Sequence, residues 1–134
     1  MNLRFLALGV AALAAIVTSA YAHHSFAAEF DGSKTITLKG DVTKLEFANP
    51  HIWVYLDVAG AGGAVQHWQC EGGAPNSLIR NGWNRSSLKA GDPVTIEGFP
   101  AKDGSNTCNA KQVKLPDGRT VFSGSSAPGA ANQH

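Results

Sequence analysis

The chain has 134 residues, 43% of them hydrophobic, with eleven Lys plus Arg against ten Asp plus Glu and two cysteines. That length holds one small domain. Charges this even, with no Lys/Arg cluster, exclude the basic footprint of a nucleic-acid or anionic-lipid binder.

The first segment reads as a secretory signal peptide, residues 1–22. Arg4 supplies the positive start, Phe5 to Val17 is free of charge, and Ala20-Tyr21-Ala22 offers small residues at the cleavage positions. The apolar run is too short to span a bilayer core, so no membrane span is expected after cleavage. Cleavage after Ala22 would make His23 the mature N-terminus and place the chain in the periplasm or outside the cell. Residues 23–34 then form a lead-in, with a turn at Asp31-Gly32.

From Thr35 the pattern is β. Ile36, Leu38, Gly40 and Val42 alternate, then the phase shifts to Leu45 and Phe47, as a bulge in a curved strand would produce. Asn49-Pro50 makes a turn. Ile52, Val54, Leu56 and Val58 then share one face of a second strand, with His51, Trp53, Tyr55 and Asp57 on the other. Gly60 to Gly63 is a hairpin loop and Val65 to Glu71 a third strand. Pro75 to Asn81 is a short helix with Gly82 at its end. Pro93 to Phe99 is a fourth strand, and Ala110 to Leu115 and Thr120 to Phe122 flank a Pro116-Asp117-Gly118 turn. Residues 124–134 read as a disordered tail. Three strands, a short helix and two further strands is the order of an OB-fold, a small all-β Greek-key barrel, here over residues 35–123. A small open β-sandwich is the rival.

The same residues resemble a family. His23-His24-Ser25-Phe26, Asn49-Pro50-His51-Ile52, Glu71-Gly72-Gly73, the stretch from Trp83 to Gly91-Asp92, and Asp103-Gly104-Ser105-Asn106 together look like the exported bacterial proteins of domain-of-unknown-function family 6152. The resemblance implies an exported protein of this fold and no activity. Cys70 and Cys108 depart from its pattern, which has an apolar aromatic and a glycine there, so a disulfide would be particular to this chain.

Three histidines suggest a metal site. The α-amine and imidazole of a mature His23 can chelate one ion, with His24 or His51 adding a second imidazole. Copper favours such nitrogen sets. The tail from His23 to Lys34 extends roughly 40 Å, just enough to reach His51 along the barrel. An exposed His-His dipeptide that binds metal only incidentally is the plainer reading.

A second candidate is a ligand or partner face made of Trp53, Tyr55, His67 and Glu71. With Trp68 and Cys70 inward, antiparallel pairing sets Glu71, Gln69 and His67 opposite His51, Trp53 and Tyr55. Such a face would hold a small molecule or another envelope protein, or be covered by the lead-in through Phe26 and Phe30. Cys70 and Cys108 could form a disulfide between strands three and five; buried thiols or metal thiolates are the alternatives. Glu46, Asp57, Glu71 and Glu97 read as solvated single carboxylates. No Ser/His/Asp order, phosphate loop or paired carboxylate appears, so the chain reads as a binding protein and not an enzyme.

Overall fold

The computed structural model describes residues 26–124. The expected leader, the residues His23 and His24, and the expected tail from 125 onward lie outside them. Eight elements follow one another: α1 (Phe26–Glu29), β1 (Ile36–Glu46), β2 (Trp53–Ala59), β3 (Val65–Glu71), α2 (Pro75–Arg80), β4 (Pro93–Pro100), β5 (Thr107–Lys114) and β6 (Thr120–Phe122), with a 3-10 turn at Ala61–Gly63 between β2 and β3.

The strands lie in the order β3-β2-β1-β4-β5-β6, and a further pairing of β3 with β5 closes the first five into a barrel. That closure removes the open sheet edges a sandwich would keep. It selects the OB-fold over its rival. The seam is parallel and short: Gln69, Cys70 and Glu71 face Thr107, Cys108 and Asn109. Every other contact in the barrel is antiparallel.

β1 serves two neighbours, pairing with β4 through Ile36 to Asp41 and with β2 through Gly40 to Glu46. It bends between them. Thr43 is the extra residue, since the register passes from Val42↔Leu56 straight to Lys44↔Tyr55. This bulge is the phase shift visible in the sequence, and it turns Val42 and then Phe47 into one interior.

The interior is filled from every strand: Leu38, Val54, Ile96 and Val113 are buried, and Ile52 is fully enclosed just before β2. α2 closes the barrel between β3 and β4. Pro75 occupies its first turn, where a missing N–H costs nothing. Leu78 enters the core, and the helix ends before Gly82, at φ +92°. Trp83 follows, 2% exposed, its indole N–H donating to the Phe122 carbonyl at 3.1 Å. Truncating a ring buried this completely costs roughly 3–5 kcal/mol.

Several boundaries differ from the sequence reading; β2, for one, begins at Trp53 and not at His51. β5 begins at Thr107, so Cys108 lies inside the strand, because pairing with β3 and β4 extends the ladder beyond the apolar run. The described part of the lead-in, from Phe26, makes one helical turn in which the Phe30 N–H donates to the Phe26 carbonyl.

Candidate functional site

The lead-in is built onto the end of β4. Phe30 is 3% exposed and bridges Ala101. Phe26 stacks edge-on against Phe99, ring centroids 5.4 Å apart, and lies 5.6 Å from the Phe30 ring. Backbone bonds run from Asp31 N–H to the Pro100 carbonyl and from Lys102 N–H to the Glu29 carbonyl. The Lys102 ammonium donates to the Ala27 carbonyl. Phe26 therefore packs on Phe99 and not on Trp53 or Tyr55, because the apolar surface at the end of β4 is the closer partner for this short segment.

Lead-in and β4–β5 connection form one rim, and a groove lies between that rim and the barrel wall. Its floor is Trp53 from β2, Gln69 from β3 and Thr107 from β5, with Glu29, Lys102 and Asp103 on the rim. The Gln69 amide donates to the Thr107 hydroxyl at 3.3 Å across the seam. Trp53 is half-buried, an aromatic face left partly open. On the rim, the Ser105 hydroxyl and backbone N–H hold the Asp103 carboxyl below the ordinary aspartate range. The backbone bond is 2.9 Å long.

The β2–β3 register sits two residues from the expected one. Glu71 faces Trp53, Gln69 faces Tyr55, and His67 faces Asp57. The Gly60 N–H donates to the Ala64 carbonyl around the 3-10 turn, so the hairpin closes with Ala59 opposite Val65. A shift of two keeps every side chain on its expected face.

This register divides the four residues expected to form one face. Trp53 and Glu71 are register partners, and of the two only Trp53 lines the groove. Tyr55 belongs to a separate cluster, with the Lys44 ammonium 5.4 Å from its ring centre and its hydroxyl 3.5 Å from Glu46 Oε2. His67 is paired with Asp57 at 2.6 Å, its side chain 83% exposed.

His51 and Glu71 do meet, through the His51 Nδ1–H and Glu71 Oε1 at 2.5 Å. The Glu71 side chain is only 15% exposed, so it is not the solvated carboxylate read from the sequence. About 13 Å of β3 separates Glu71 from His67. Among the described residues no group of three or more His, Cys, Asp or Glu side chains converges as a metal site, and His23 and His24 lie outside them. Among the described residues no helix is long and apolar enough to cross a membrane.

Cys70 and Cys108 form a disulfide, their Cα atoms 4.5 Å apart. Both are fully buried.

Sequence reasoning missed Gln69, Thr107, Lys102 and Asp103 as members of one site. Period two does place Gln69 outward, and Asp103-Gly104-Ser105 marks a structured turn. Only the β3–β5 seam and the lead-in docking bring them together.

A model of the family of unknown function DUF6152 matches residues 11–110. No curated protein matches the chain. Among solved structures the chain is similar to Rim1, a mitochondrial single-stranded DNA binding protein of S. cerevisiae, at 10% identity, over 61% of this chain and 92% of that one, with a TM-score of 0.47. It is also similar to the N-terminal domain of PriB from Thermoanaerobacter tencongensis, at 23% identity, over 62% and 96% of the two chains, with a TM-score of 0.43. A mutant of TiaS in complex with agmatine matches at 23% identity over 63% of this chain and 22% of that one, with a TM-score of 0.45.

Proposed function

The chain belongs to the family of unknown function DUF6152, and from that premise we propose that it is an exported, non-enzymatic binding module that takes a small ligand in the Trp53 groove. The observation that carries the reading is the groove itself. An open aromatic floor on the face where OB-folds commonly bind is walled by an ordered lead-in and the β4–β5 connection. Its charged rim residues are Lys102, Glu29 and Asp103, one base and two acids. That mixture favours an uncharged or zwitterionic molecule with a planar or apolar part to lie on the indole. It lacks the basic track that holds a nucleic-acid backbone. An envelope protein that inserts one side chain into the groove fits the same chemistry.

Free phenylalanine, a zwitterion with a planar face, is a suitable probe for isotope-labelled mature protein. We expect it to shift the amide resonances of Gln69 and Thr107, and Trp53→Ala to abolish those shifts. Shifts that survive Trp53→Ala would remove the groove from the reading.

A second reading is favoured by His51. Metal-bound histidines commonly donate their other ring nitrogen to a carboxylate. Glu71 accepts from Nδ1 in this way, leaving Nε2 as the ligand atom. With His23 as the mature N-terminus, its amine and imidazole, together with His24 or His51, would hold copper. Export carries both His23 and its free amine, so the mass of protein taken from the envelope should be that of residues 23–134, less two hydrogens for the disulfide. Copper titration of that protein against a form with one added residue before His23 tests the chelate. Equal affinity for both forms would refute it.

A further inference from the structure

Two segments that the groove reading leaves unused, Phe47-Ala48-Asn49 and Asn84-Arg85-Ser86, meet at a second groove between the β1–β2 connection and α2. It shares no lining residue with the Trp53 groove. Phe47, Asn49, Asn76, Ile79, Asn84 and Arg85 line it, and Arg85 is the only charged side chain among all the residues that do so.

The cation is held in place. Arg85 Nη1 donates to the Phe47 carbonyl at 3.1 Å, and the guanidinium carbon lies 5.8 Å from the centre of the Phe47 ring. One bond uses one of five donors, so the rest of the fork remains for a ligand. The loop that carries it is also fixed. Asn84 Oδ1 accepts the Ser86 N–H at 2.7 Å, and the Asn84 N–H donates to the Ser87 hydroxyl at 2.8 Å. Asn84 therefore keeps its amide Nδ2 as a donor, beside the amides of Asn49 and Asn76.

Ile79 supplies the other half of the chemistry. It is 54% exposed on α2, at the border of this groove. An apolar side chain left in water beside an oriented guanidinium suits a molecule with one anionic end and one aliphatic part. A carboxylate suits this site better than a phosphate. A single guanidinium matches the geometry and the single charge of a carboxylate, whereas a phosphate dianion would be half compensated.

We propose that this second groove binds a small monocarboxylate with a short aliphatic chain, the carboxylate on Arg85 and the chain against Ile79. Titration of the isotope-labelled protein with hexanoate, and in parallel with neutral hexanamide, tests it. Hexanoate should shift the amides of Asn84, Arg85 and Ser86, and hexanamide should not. Arg85→Gln should weaken hexanoate binding about tenfold or more, the scale of a lost hydrogen bond to a charged group. Because Arg85→Gln also removes the bond to Phe47, Ile79→Ser serves as a variant at an exposed position. It should weaken hexanoate and leave acetate unchanged. Equal shifts with hexanamide, undiminished binding in Arg85→Gln, or shifts confined to Gln69 and Thr107 would each overturn the proposal. The last two residues report the Trp53 groove, so the two sites fail independently.

Discussion

Cys70 and Cys108 stand directly opposite one another as register partners, at the middle of the three-pair seam where β3 meets β5. Their disulfide bridges the one contact of the barrel in which the strands run parallel. It closes a loop of 38 residues, worth about 4 kcal/mol on the chain-entropy account. The double variant Cys70→Ser/Cys108→Ser should lose roughly 2–4 kcal/mol in urea unfolding. Peptide mapping without reductant should recover the two cysteines in one linked fragment. Free-thiol labelling of both in the unreduced native protein would contradict the pairing.

The two histidine–carboxylate pairs have nearly the same length and unequal surroundings. Glu71 is 15% exposed and Asp57 37%. His51→Ala strips a partner from an enclosed carboxylate and should cost about 1–3 kcal/mol. His67→Ala alters an exposed pair and should stay within about 0.5 kcal/mol. Equal losses in thermal unfolding would mean that burial does not separate the pairs.

Gly40 and Gly98 lie where strands press closest. A Cβ would sit 2.1 Å from the Asp57 carbonyl oxygen at Gly40 and 2.4 Å from that of Asn109 at Gly98. Backbone must move to admit either. Gly98→Ala should cost about 3 kcal/mol, whereas Gly62→Ala meets nothing within 4 Å and should show only the roughly 1 kcal/mol strain of a positive φ. Denaturant midpoints of the two variants should separate clearly.

Acid should loosen the rim of the Trp53 groove. Asp103 titrates below the ordinary value of 3.8 because the Ser105 hydroxyl and N–H bind its ionised form. A depressed carboxylate stabilises the fold above 3.8, and that contribution fades as the pH falls below 3.8 and through the lowered value. Carboxyl-carbon NMR should place its midpoint below 3.8, and Ser105→Gly should move it upward. A midpoint at or above 3.8 would show that the turn is not formed.

The elements whose signals are local were legible in the sequence. The phase shift from Val42 to Leu45 marks the bulge at Thr43, Pro75 and Gly82 bracket α2, and Pro116-Asp117-Gly118 sets the hairpin into β6. The β2–β3 register was not legible, because centring the hairpin one residue later in the loop slides the pairing by two without changing any side chain's face. Nor was the place of the lead-in, since Phe26 and Phe30 announce apolar contact but not which surface receives it. That choice depends on Phe99, far along the chain. Glu71 shows a third limit: period two tells which way a carboxylate points, but not how much of it neighbouring groups will enclose.

The docking of Phe26 and Phe30 also bears on how this domain can be divided. A barrel cut to begin at Ile36 would keep all six strands, the disulfide and α2. It would lose Glu29 and Phe30 from the groove and the carbonyls of Ala27 and Glu29 that Lys102 engages. The stretch that contains every strand and the stretch that carries the groove are therefore different lengths of the same chain. A fragment designed from strand boundaries alone would be a sound scaffold with an unfinished site.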